Sequence, residues 1–179
     1  MNRLLTLSRL IDTLNERIGR FAMWLVLVAV LVSSGNALSR YGLNMSSNAW
    51  LEIQWYLFAA IFLLGAGYTL KHNGHVRIDI LYGRFSPRTR AWIDLAGGLL
   101  FLLPTALIIA WLGWTGFADS YAIGEMSPDA GGLSRWPIKL LIPVGFTLLA
   151  LQGLSESIKR AAFLAGKAPL PEEAAEEVV

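Results

Sequence analysis

Few side chains in this sequence have the type and placement to do chemistry. Glu52 stands out, because it is the only charge in an apolar stretch running from about Trp50 to Leu70. An ionisable group inside a membrane-length apolar segment is by default a functional one, serving as an ion carrier or as half of a pair. Glu52 lies near one end of its segment, where that default weakens, so a structural bond ranks ahead of ion coupling. The sequence points to Arg40, at the same expected depth, as its partner, with a hydrogen bond to another subunit as the alternative. Asn36, Gln54 and Gln152 are amides within apolar runs, and such groups bond across helices for about 0.6–2 kcal/mol each. His72 and His75 are the only histidines, and a metal there would need further ligands that no cysteine or nearby carboxylate cluster supplies. A haem between helices needs axial ligands at membrane depth, and no His or Cys lies there. No phosphate loop, nucleophile elbow or HExxH motif is present. Neither an enzyme nor a resident metal or cofactor is expected.

The segments that position these residues follow from composition. Of 179 residues, 55% are hydrophobic and only 16% charged, with a mean hydropathy of +0.51. A soluble domain carries about 25% charged residues, so a soluble or disordered chain is excluded. The absence of cysteine excludes disulfides, iron–sulfur clusters and thiol catalysis. A span needs about 20 apolar residues to cross a core of about 30 Å. Four stretches qualify, at about 20–39, 50–70, 91–118 and 137–158. The expectation is an all-α integral membrane protein, with four transmembrane helices in one domain over residues 19–165. The first run is longer than a signal-peptide core and lacks a small-x-small cleavage site, so it is expected to be retained. Ser86-Pro87 reads as a helix cap with Pro at the first position, and Pro104 and Pro143 are expected to kink their helices.

Charge sets orientation. Arg3, Arg9, Arg17 and Arg20 precede the first span, Lys71, Arg77, Arg84, Arg88 and Arg90 lie between spans two and three, and Lys159, Arg160 and Lys167 follow span four. Only Arg40, Arg135 and Lys139 lie on the other side. The positive-inside rule then places both termini in the cytoplasm of a multi-pass inner-membrane protein. The net charge of +2 is an orientation signal and implies no nucleic acid. Trp50, Trp55, Trp111, Trp114 and Trp136 mark the outer ends of the spans.

Residues 1–18 place Leu4, Leu7, Ile11, Leu14 and Ile18 at helical spacing beside Arg3, Arg9 and Arg17. This predicts an amphipathic interfacial helix on the cytoplasmic membrane surface, or one packed on a partner. Ala29, Ser33 and Ala37 form a small-residue stripe that permits close helix contact, internal or between subunits. The loop from Asp119 to Trp136 has the Gly and Pro content of turns, and residues 166–179 read as an acidic, disordered tail. On the residues alone, an anchor or assembly subunit of a redox complex and a stand-alone four-helix exporter both stay open.

Three motifs narrow the choice. Ser47-Asn48-Ala49-Trp50-Leu51-Glu52-Ile53-Gln54-Trp55 opens span two, Leu64-Gly65-Ala66-Gly67 closes it, and Asn73-Gly74-His75-Val76-Arg77-Ile78-Asp79 follows. In order and at the right depths, these resemble the small membrane subunit, DctQ-like, of tripartite ATP-independent periplasmic (TRAP) transporters. Gly124-Glu125-Met126-Ser127-Pro128, Gly131-Gly132-Leu133 and Arg135-Trp136-Pro137 resemble the branch associated with mannitol or chloroaromatic compounds. Relatives often carry two adjacent acids where this chain has Glu52-Ile53. The resemblance implies a scaffold for a larger, DctM-like membrane subunit that carries substrate and sodium and moves as an elevator. It further implies a DctP-like periplasmic binding protein delivering a small organic anion, a carboxylate or 2-oxo acid. On that basis Trp50, Glu52 and Trp55 anchor the second span and face the large subunit. His75, Arg77 and Asp79 order the cytoplasmic loop, and Glu125, Asp129 and Arg135 are the docking candidates for the binding protein.

Overall fold

The computed structural model describes residues 2–45, 47–75 and 82–169. Among the described residues, four helices are long and apolar enough to cross a membrane: α1 (Asn2–Gly42), α2 (Asn48–Lys71), α3 (Pro87–Ala122) and α4 (Trp136–Leu164). Glu16 near the start of α1 meets Lys71 at the end of α2, and Asp12 meets Lys159 near the end of α4. The start of α1 and the end of α4 therefore lie at one end of the bundle, the terminal end. The α1–α2 connection and the loop before α4 form the opposite, loop end. α4 is the central helix and packs on α1, α2 and α3.

The sequence dictates each helix boundary locally. Ser86 caps α3 by accepting from the Thr89 N–H at 3.3 Å, and Pro87 follows at the first helical position. Both are as expected, because Pro at that position loses only an N–H that had no partner. Within α3, residues Gly98–Leu102 form a π turn, and the Leu103 N–H reaches back to the Gly98 carbonyl. Pro104 follows directly. It has no N–H for the carbonyl four residues back and its ring would press on that carbonyl, and a widened turn accommodates both. α2 ends where Asn73 takes a left-handed conformation (φ 50°), and the Gly74 N–H closes onto the Thr69 carbonyl at 2.9 Å.

Of the segment expected to be an amphipathic interfacial helix, residues 2–18 form the first part of the 41-residue α1, continuous with the span. At about 1.5 Å per residue this helix is about 62 Å long, twice the thickness of a hydrocarbon core, and its first part packs on the second half of α4. Gly19 is the only poor helix former at the join, and its missing side chain serves packing. A Cβ there would lie 2.4 Å from the Cβ of Tyr68 on α2. The buried stripe of this segment is Ser8, Ile11, Asn15, Gly19 and Ala22. Leu4, Leu7 and Leu14, which periodicity assigned to the apolar, membrane-facing side, are 48%, 43% and 43% exposed.

Contacts between helices rest on small residues, as expected where lipid tails are as apolar as leucine. A Cβ on Gly67 would lie 2.1 Å from Asn15 Oδ1 and 3.3 Å from the Leu148 carbonyl, so α1, α2 and α4 converge there. The fully buried Asn15 donates to the carbonyls of Ile11 and Leu148, both at 3.4 Å. We expect Gly67→Ala to destabilise the detergent-solubilised chain by about 1–3 kcal/mol. Gly65→Ala, with nothing within 4 Å of the added carbon, should be neutral. Thermal unfolding of the two variants side by side checks this.

Candidate functional site

The start of α2 carries Asn48, Glu52, Trp55 and Tyr56, spaced so that they share one helix face. That face holds the loop that precedes α4. Glu52 is 3% exposed, and its carboxylate accepts the Leu133 N–H at 2.6 Å, the Arg135 guanidinium at 3.2 Å and the Ser127 hydroxyl. Ser127 also accepts the Asp129 N–H at 3.1 Å and a second Arg135 contact at 3.0 Å. Arg135 lies over the Trp55 ring, 4.9 Å from its centroid. The Tyr56 hydroxyl donates to the Ser134 carbonyl at 2.8 Å, and Asn48 donates to the Ala130 carbonyl at 3.0 Å.

The loop is shaped to close on this carboxylate. Met126 and Ser134 form an isolated antiparallel bridge. Bonds from the Ser127 N–H to the Leu133 carbonyl (2.9 Å) and from the Arg135 N–H to the Glu125 carbonyl (2.8 Å) flank it. Gly131 supplies the left-handed turn (φ 72°). Gly132 leaves no room for a side chain, since a Cβ would lie 2.4 Å from Ser127 and 2.8 Å from Glu52 Oε1. At the loop's base, Glu125 pairs with Lys139, and this bond holds the Glu125 carboxyl below the ordinary carboxylate range.

The expected Arg40–Glu52 pair does not form. Arg40 is exposed, with its guanidinium over the neighbouring Tyr41 ring at 5.8 Å, while Arg135 takes the carboxylate. Sequence depth alone placed both arginines at the same end. The hairpin-like closure of the loop, carried by Gly131 and Gly132, decides between them. The Glu52 carboxylate thus accepts from three donors and is enclosed by protein.

Other singled-out residues are distributed more loosely. Trp50 and Trp55 are 46% and 42% exposed at the loop end, and Asp129 is exposed on the loop. Of the small stripe, Ala29 is buried, Ser33 donates to Gln54 on α2 at 3.2 Å, and Ala37 is exposed. His75 is exposed just after α2. Arg77, Asp79 and the acidic stretch from residue 170 onward lie outside the described residues.

At the terminal end a second cluster escaped the sequence reading. Asp12 accepts from Gln152 at 2.8 Å, from Ser155 at 2.7 Å and from Lys159 at 3.2 Å. Ser8 and Ser155 share a hydroxyl bond of 2.7 Å. Glu16 gathers Lys71 and His72 at 2.8 Å and Arg20 at 2.9 Å. The signal was present in the spacing of Ser8, Asp12, Asn15 and Glu16, but polar residues on a basic segment read equally well as a solvated face.

Two outcomes follow from the loop-end geometry. Glu52→Ala should speed hydrogen exchange at the Leu133 and Asp129 amides about tenfold or more, because both bonds depend on the clasp. Amides in the middle of α4 should be unaffected. The Glu125 carboxyl, lowered in the folded chain, stabilises the loop fully above the ordinary value of about 4.3. That contribution is lost only as pH falls through the depressed value. Carboxyl NMR titration should show a midpoint below the ordinary range, returning toward it in Lys139→Ala.

Comparison with known proteins bears on the whole membrane region. The family described as "Tripartite ATP-independent periplasmic transporters, DctQ component" matches residues 29–163, which include Glu52, its loop and most of the four helices. Over 97 residues the chain is 29% identical to the C4-dicarboxylate TRAP transporter small permease protein DctQ of Pseudomonas aeruginosa, covering 54% of this chain and 46% of that protein. The matched segment thus spans about half the length of that curated relative. On the family match, this chain belongs to the DctQ component family of tripartite ATP-independent periplasmic transporters.

Proposed function

We propose that the chain is the stationary scaffold of a sodium-coupled TRAP uptake system for a small organic anion. It steadies a DctM-like transport subunit in the inner membrane and helps dock a DctP-like binding protein, with both termini in the cytoplasm. The Glu52 clasp is the observation that carries this reading. The one carboxylate within the expected second span is taken up in holding a loop, which suits a support better than an ion-coupling site. The charge asymmetry of the sequence supports this orientation, with the clasped loop on the periplasmic side. There Asp129 is exposed, with Glu125 and Arg135 fixed below it. The anion is a carboxylate or 2-oxo acid, and the name of the Pseudomonas relative adds a four-carbon dicarboxylate to the candidates.

Docking through charge acts mainly on encounter rate. Asp129→Lys should therefore lower uptake about tenfold at limiting binding protein and much less at saturating binding protein. Assembly with the large subunit should be unchanged. Charge reversal at Glu125 should add to the loss, with looser loop packing as a second cause. Uptake that is unaffected at limiting binding protein removes the docking role. Co-purification from the native host of a large multi-span subunit, and its loss when α2 is disrupted, tests the scaffold role.

A further inference from the structure

A cavity of about 570 Å³ opens on the side of the bundle between the end of α2, the first half of α3 and the second half of α4. It lies at the terminal end, away from the Glu52 clasp, and its two ends differ in chemistry. Asn73, Asp94, Glu156 and Arg160 line one end, and Phe101, Ala106, Phe146 and Leu149 line the other. Between Asp94 and Ala106 a helix advances about 18 Å, close to half the thickness of a hydrocarbon core of about 30 Å. The cavity therefore has polar groups at interface depth and apolar walls reaching toward the bilayer centre.

We propose that this cavity holds one phospholipid of the terminal-side leaflet, with a zwitterionic amine headgroup at Asp94, Glu156 and Arg160 and an acyl chain along Phe101, Ala106 and Leu149. The charges choose the headgroup. Arg160 is 4% exposed and fixed by Asp94 at 3.2 Å, which also accepts from the Tyr82 hydroxyl at 2.7 Å. Glu156 is held by Gln152 at 3.0 Å and Lys159 at 2.5 Å. The two carboxylates are balanced by Arg160 and Lys159, so the polar end carries no net charge, which matches a zwitterionic headgroup. Pockets that collect purely anionic headgroups are basic, and this one has no excess of cations.

The walls choose a lipid over a protein segment. The volume falls in the range of a single small ligand, enough for a headgroup and part of one acyl chain with the rest of the lipid left in the bilayer, and a helix 10–12 Å across does not fit it. The π turn Gly98–Leu102 builds part of the α3 wall, a local irregularity frequent at functional sites. Gly97, beside it, faces open space, since an added Cβ meets nothing within 4 Å.

The full chain in its native complex, reconstituted in vesicles of phosphatidylethanolamine and phosphatidylglycerol in equal amounts and re-extracted, gives the test by native mass spectrometry. One phosphatidylethanolamine should remain per chain, enriched about fivefold or more over phosphatidylglycerol. Gly97→Phe, which fills open space, should abolish retention with folding intact. Asp94→Asn should retain a lipid and lose the preference. Equal retention of the two lipids by the unaltered chain, or undiminished retention in Gly97→Phe, overturns the proposal. The chain has no cysteine, so Gly97→Cys gives a single reporter. Cross-linking from it to a partner subunit in native membranes shows a protein occupant and also overturns the proposal.

Discussion

Four helices in lipid cannot be held together by burying leucine, because lipid tails offer leucine the same surroundings. This constraint shapes the whole chain. The buried hydrophobic residues are mostly alanines, with Ile11 and Leu148 as the larger members, and they are matched by buried Ser8, Asn15, Glu52, Gln152, Ser155 and Arg160. The large apolar side chains, among them Leu31, Phe62, Phe101 and Trp111, point outward. Stability comes from backbones brought close by missing side chains and from hydrogen bonds between polar groups on different helices. The Glu52 clasp fastens the loop end, and the Asp12 and Glu16 clusters fasten the terminal end.

The two ends are fastened by different chemistry because they face different tasks. At the loop end a single carboxylate orders a short hairpin-like loop through one backbone N–H, one hydroxyl and one guanidinium, so few residues fix its shape. At the terminal end α1 continues well beyond the span, and two carboxylates spread over one helix face tie it to α2 and α4. A helix tied along its length is a strut. Its exposed leucines on the free side leave it with an apolar surface outside its own bundle.

The sequence made the fold legible where physics is one-dimensional. Apolar run lengths marked four spans, Ser86-Pro87 marked a helix start, and the basic residues marked a side. It was silent wherever two segments distant in the chain must meet. Arg40 and Arg135 stand at the same expected depth, and only the folded loop puts Arg135 on Glu52. Residues 2–18 satisfied the pattern of an interfacial helix, yet no helix breaker separates them from the span. Their polar stripe finds partners on α4 about 140 residues away, at Gln152 and Ser155. The motif at Trp50–Trp55 singled out Glu52, and the bonding there needed the structure.

The central claim is that this subunit is a rigid support, clasped at both ends, within a transporter whose moving parts lie elsewhere. Spin labels at Leu38→Cys on α1 and Ala130→Cys in the clasped loop, both exposed positions, test this most directly in the reconstituted complex. The account predicts one narrow distance that stays the same, within about 2 Å, through addition of sodium, substrate and loaded binding protein. A second distance population, or a shift of more than about 5 Å on adding substrate, contradicts it.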